Sequence, residues 1–84
     1  MKEEEIKKGV KSVFFKVFTT LKEKDFDFEK SAEDIKDWDS LSHMTLVSEL
    51  EKEFGLTMEI DDISEMDSVK NVVNLLKRKL GVKK

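Results

Sequence analysis

The sequence predicts a small all-α domain: a bundle of four helices, three longer and a short third, with a long loop between the first and second. Two observations carry that expectation. Apolar residues recur at three- and four-residue spacing in three separate stretches, and two of the three glycines, Gly55 and Gly81, stand where such stretches stop, with no proline anywhere in the chain. Eighty-four residues suffice for one domain. We expect it to cover 1–84, with an ordered core of about 3–81. Without cysteine there is no disulfide framework, and thiolate catalysis or thiolate metal binding is excluded.

The first helix is expected from about Lys2 to Leu21, with Ile6, Val10, Val13, Phe14, Val17, Phe18 and Leu21 on one arc of roughly 140°. Gly9 lies inside it and weakens it by about 1 kcal/mol relative to alanine. Phe15 points away from the arc and is expected under the following loop. That loop, 22–38, alternates acids with aromatics as Asp25, Phe26, Asp27, Phe28 and Glu29. The run invites a calcium reading, but the glycine and terminal bidentate glutamate of an EF-hand loop are missing. A loop of this length stays ordered only when pinned, and Phe26, Phe28, Ile35 and Trp38 are the expected pins.

The second helix occupies the stretch WDSLSHMTLVSELEKEFG, residues 38–55. With Leu41 at zero, Leu46, Leu50, Phe54 and Val47 fall at roughly 140°, 180°, 220° and 240°, one stripe facing a core. Leu41 stands opposite the stripe and Met44 at its edge, so both are expected to be partly exposed, as at a docking surface. Asp39 is a good N-cap. Ser40 is then the first helical residue, where unpaired N–H groups and the helix dipole favour a phosphate on its oxygen. Beyond Gly55, a short turn of helix capped by Asp61 carries Ile63 and Met66 inward. Asp67 is expected to cap a last helix bearing Val69, Val72, Val73, Leu76 and Leu80.

Ser40, His43 and Asp39 invite a hydrolase reading, since a serine and a histidine three apart on a helix are neighbours. The oxyanion hole, the water-excluding cleft and the Gly-x-Ser-x-Gly elbow that a hydrolase needs are missing from so short a chain. His43 projects near 200°, towards the core, and is expected to pack there. The protein is not expected to be an enzyme.

Asp39-Ser40-Leu41 and the helix through Phe54, continuing through Gly55-Leu56, Met58, Ile60-Asp61, Met66 and Ser68-Val69, resemble the acyl carrier protein family. The resemblance covers residues 6–80 in element order. It implies a four-helix bundle of acyl-carrier type in which Ser40 carries 4′-phosphopantetheine derived from coenzyme A, with Asp39 and Leu41 completing the motif. It implies a carrier that presents acyl groups as thioesters, for fatty-acid, lipid or polysaccharide, or polyketide-type biosynthesis. Partner contacts are then expected from Leu41, Met44, Glu49 and Met66, and an acyl cavity near Leu46, Leu50, Ile60 and Ile63. The implied partners are a phosphopantetheinyl transferase and the enzymes that load and take the acyl group. Ser42 and Thr45 are neutral where fatty-acid carriers often place acids, which suggests recognition less dependent on charge. The Trp-Asp-Ser-Leu form also occurs among peptidyl carriers, so a stand-alone peptidyl or aminoacyl carrier is the alternative, followed by a small interaction module.

Charge is segregated along the chain: residues 1–24 carry net +3, residues 25–67 net −12 and residues 68–84 net +6. The acidic middle steers basic partners towards Ser40. The basic end could mark a nucleic-acid patch, but it lacks interleaved aromatics, and Lys77, Arg78 and Lys79 suit the negative end of a helix dipole. No nucleic-acid partner is expected. No apolar run approaches a membrane span, and the start MKEEEIKKG is too charged for a secretory signal. The expectation is a cytoplasmic monomer.

Overall fold

The computed structural model describes residues 2–81; Met1 and residues 82–84, which the expected 1–84 domain includes, lie outside the described residues. Four α-helices follow in order: α1 (Glu3–Val17), α2 (Ser40–Phe54), α3 (Ile60–Glu65) and α4 (Val69–Lys79), with one 3-10 turn, Glu23–Asp25, in the long first loop. α1 packs against both α2 and α4, and α3 packs against α4. This is the expected all-α bundle with a short third helix.

The predicted arcs are the core. Ile6, Val10, Val13 and Phe14 of α1, Leu46, Val47, Leu50 and Phe54 of α2, and Val69, Val72, Val73 and Leu76 of α4 are all buried. α1 ends four residues earlier than expected. Phe18 leaves helical geometry, and the chain turns through Thr19 and Thr20, closed by the Leu21 N–H on the Phe18 carbonyl at 3.0 Å. Two consecutive β-branched residues are poor helix formers, and the turn still lets Phe18 bury its ring.

Gly9 has a reason that lies outside its own helix. A Cβ there would stand 2.6 Å from Cζ of Phe54, so the missing side chain is what lets the Phe54 ring lie against α1. At the far end of α2, Gly55 takes the left-handed conformation (φ 62°) that ends the helix.

Both hydrophobic and backbone contacts pin the first loop. Ile35 and Trp38 are buried, Phe26 and Phe28 pack half-buried on the core, and Phe15 meets Phe26 with ring centroids 5.5 Å apart. Lys11 lies near both of those rings and reaches Glu23 at 3.0 Å. The loop also forms an isolated antiparallel bridge, Ser31 with Ser68. The Ala32 N–H donates to the Asp67 carbonyl and the Val69 N–H to the Lys30 carbonyl, both at 2.9 Å. The acids of the loop serve local turns: Asp27 accepts from the Glu29 N–H, and Asp34 from Ser31. The Ser31 N–H and hydroxyl hold the Asp34 carboxyl below its usual range.

The capping residues of the last two helices differ from those expected. α3 begins after Glu59, whose N–H donates to Asp62 at 3.0 Å, two residues ahead of the predicted cap Asp61. α4 is capped by the hydroxyl of Ser68, which accepts from the Asn71 N–H at 3.1 Å, while Asp67 accepts from the Asn71 side chain. Serine and aspartate are about equally good caps. The bridge to Ser31 fixes the backbone at Ser68 and decides between them.

Candidate functional site

The site is built at the start of α2, where the chain must turn sharply out of the loop. Asp37 makes that corner with a left-handed φ of 71°, uncommon for a residue with a side chain. The corner aims the Asp37 carbonyl at α2, and it accepts from the Asp39 N–H at 3.0 Å and from the Ser42 hydroxyl. Thr20, beyond the end of α1, donates to the Asp37 carboxylate at 3.3 Å.

Asp39 caps the helix as expected. Its Oδ1 accepts the Ser42 N–H at 3.0 Å, and the Ser42 hydroxyl in turn accepts the Asp39 N–H at 2.8 Å. Ser42, neutral in the sequence, therefore closes a reciprocal capping box. The Ser42 N–H is the main reason the Asp39 carboxyl sits below its usual range. The first backbone bond of the helix runs from the His43 N–H to the Asp39 carbonyl at 2.8 Å.

Ser40 is the first residue of α2 and is exposed. Its N–H finds no backbone carbonyl among the described residues. The exposed Ser40 thus stands at the positive end of a 15-residue helix, where negative charge is favoured. Beside it opens a groove of about 520 Å³ between α2, α3 and the first loop, with Trp38, Met44, Ile63 and Met66 among its apolar walls.

His43 is no base for Ser40. The Trp38 indole N–H donates to His43 Nδ1 at 2.8 Å, and Nε2 lies 3.0 Å from the Ile63 carbonyl, so both ring nitrogens are in use.

The family "Phosphopantetheine attachment site" matches residues 33–76, a little over half of the chain and the stretch that holds this helix start and groove. Over 82 residues the sequence is 32% identical to an acyl carrier protein of Petrotoga mobilis (strain DSM 10674 / SJ95), covering 98% of this chain and 95% of that protein. The chain belongs to the acyl carrier protein family. The carrier therefore bears a covalent 4′-phosphopantetheine and holds intermediates without transforming them. The group ends in a thiol, which supplies the one nucleophile a chain without cysteine lacks.

The remaining residues expected at the site divide. Leu41 and Met44 stand out of the surface beside Ser40, 83% and 52% exposed. Glu49, expected at the partner surface, turns inward to its own chain: Lys16 at 2.8 Å and Lys52 at 3.7 Å leave its side chain 17% exposed. Lys16, through hydrogen bond and charge, holds the Glu49 carboxyl below its usual range. Met66, also expected at that surface, is 1% exposed, because it caps α3 with its side chain in the core. Ile60, expected in the acyl cavity, is 82% exposed: α3 starts earlier than expected and puts it in the first helical position. Leu46 and Leu50 are fully buried and do not line the groove, whereas Ile63 does. Ile60 is the exposed apolar residue that the sequence pattern missed. The signal available was its place between two acids, Glu59 and Asp61.

Three of the four cations of α4 are paired; the exposed Lys70 is the fourth. Lys77 pairs with Glu3 at 2.7 Å, Arg78 with Glu65, and Lys79 with Asp62 at 2.8 Å. These three pairs tie α4 to α1 and α3. Among the described residues no helix is long and apolar enough to cross a membrane.

Proposed function

We propose that Ser40 is the attachment point of 4′-phosphopantetheine and that the protein carries acyl intermediates as thioesters between biosynthetic enzymes. The observation that carries this reading is an exposed serine hydroxyl on the first residue of α2, within the segment matched as a phosphopantetheine attachment site. On attachment the hydroxyl gives up its proton as its oxygen bonds to the pantetheine-bearing phosphorus of coenzyme A; the pyrophosphate P–O bond breaks, adenosine 3′,5′-bisphosphate leaves, and the serine oxygen becomes a phosphodiester oxygen. The Ser40 N–H and the dipole of α2 lie at that charge. Asp39 keeps the helix start rigid, so a mobile arm has a fixed origin.

Partner recognition is assigned to an apolar set, Leu41, Met44 and Ile60, flanked by the acids Asp39, Glu59 and Asp61. Glu49 contributes through its ion pairs to the shape of α2. A transferase or acyl-loading enzyme that docks here needs an apolar recess with basic groups at its edge. The cargo is acyl, in keeping with the relative from Petrotoga mobilis, itself named an acyl carrier protein. The pathways in view are fatty-acid, lipid or polysaccharide, or polyketide-type biosynthesis, in the cytoplasm, with the carrier acting as a monomer.

The test is intact mass before and after incubation with coenzyme A and a broad-specificity phosphopantetheinyl transferase, with Ser40→Ala alongside. A gain of one phosphopantetheine on the wild type alone is expected. No gain on a folded, unmodified wild type, or an equal gain on Ser40→Ala, removes the assignment.

A further inference from the structure

His43 joins three elements through one neutral ring. Because Nδ1 accepts from the Trp38 indole, the ring proton resides on Nε2, which donates to the Ile63 carbonyl. The indole and imidazole planes lie 19° apart with centroids at 6.0 Å. A continuous relay therefore runs from the end of the first loop, through the first turn of α2, to α3. Trp38 is itself braced by the rings of Phe14 and Phe18, so the relay is anchored in the core.

Its position gives it a consequence for the carrier. Trp38, His43 and Ile63 are all walls of the groove beside Ser40. α3, at six residues, is too short to be stable alone. Asp62 and Glu65 tie it to α4 through Lys79 and Arg78. Towards α2, the His43 bond is its one polar tie among the described residues.

We propose that His43 is a positioning residue for the loaded arm: by holding Ile63 of α3 to Trp38 it sets the width of the groove. It thereby controls how far a cargo of the acyl class, bound to the arm, rests on the protein instead of in solvent. The proposal rests on attachment at Ser40, and the experiment separates the two.

His43→Leu keeps the bulk and removes both nitrogens, whereas His43→Gln retains an amide able to reach the Ile63 carbonyl. Trp38→Phe removes the indole donor together with part of the buried ring, and leaves a smaller aromatic ring in place. Each protein is loaded by the transferase with hexanoyl-coenzyme A, and loading is followed by intact mass. Two rates are then read: cleavage of the thioester by hydroxylamine, and amide hydrogen exchange in α3 compared with α1 and α4. For His43→Leu, exchange in α3 is expected to rise about fivefold, the factor one ordinary hydrogen bond is worth. Thioester cleavage should accelerate with it, while α1 and α4 keep wild-type protection. His43→Gln should restore the slow cleavage, and Trp38→Phe should shift both rates in the same direction by less. Unchanged α3 exchange in His43→Leu overturns the tie. Raised exchange with unchanged cleavage overturns the positioning role. Should His43→Leu fail to fold, Trp38→Phe decides by the same two rates. A wild type that gains no mass defeats the attachment reading itself, an outcome visible before any His43 variant is compared.

Discussion

Replacing Gly9 by alanine sets two effects of known size against each other. In an isolated helix the change stabilises by about 1 kcal/mol, since glycine is the poorer helix former. In this bundle the added Cβ would lie 2.6 Å from Phe54 Cζ and 3.2 Å from Cε1, against an ordinary carbon contact of about 3.5–4.0 Å. The ring must retreat by roughly 1 Å, and Phe54 is buried, with the helix-ending Gly55 directly behind it. Overpacking of this kind costs about 1–3 kcal/mol. The net expectation for Gly9→Ala is a loss of about 1 kcal/mol, or a fall in midpoint temperature of about 4–8 °C for a domain of this size. Urea unfolding followed by far-UV circular dichroism measures it, with Phe54→Leu as the second arm of a double-mutant cycle. Once the ring is gone, the same alanine should stabilise by about 1 kcal/mol, so the sign reverses and the coupling is roughly 2 kcal/mol. A Gly9→Ala protein more stable than wild type would refute the close approach of α1 and α2 at this point.

Other expectations follow from the site and the core. Leu41→Arg or Met44→Glu should slow pantetheine transfer by roughly five- to thirtyfold, the weight of an interface anchor, with an unchanged circular dichroism spectrum; wild-type transfer kinetics for both would remove the docking face. Leu46→Ala or Leu50→Ala should cost about 2–5 kcal/mol, much of the stability of so small a domain, and a urea midpoint near that of wild type would show that these side chains are not packed as described. Glu3, Glu49 and Asp62 have carboxyls lowered first by their bonds to Lys77, Lys16 and Lys79 respectively. A lowered carboxyl stabilises above its unfolded value, and that contribution is lost as pH falls through the folded one. Acid unfolding should therefore begin at higher pH in Lys79→Ala than in wild type, and superimposable acid titrations would show that the Lys79–Asp62 pair carries no stability.

The parts of the fold set by periodicity were legible from residues alone: the arcs of α1, α2 and α4, the cap at Asp39 and the stop at Gly55. What periodicity cannot register is contact across the chain. Gly9 read as a weak point in one helix and is in fact a clearance for a ring from another. Ser68 outranks Asp67 as a cap because residue 31, far away in sequence, pairs with it. At the site, Leu41 and Met44 followed from helical projection. Glu49 did not, because the partner that draws it inward is Lys16 on another helix. Ile60 and Met66 depended on where a six-residue helix begins, the boundary that local propensity fixes least well.

The bridge between Ser31 and Ser68 has a topological meaning. Joined there, the chain between them becomes a closed ring that contains all of α2, Ser40 included, and all of α3, while α1 and α4 lie outside it. Closing a ring costs entropy that grows only slowly with its length. Two backbone bonds, from Ala32 to Asp67 and from Val69 to Lys30, are the clasp. The clasp holds the loop that leads to Ser40 against the start of α4, while α2 and α3 keep their own hold on the bundle through α1 and α4.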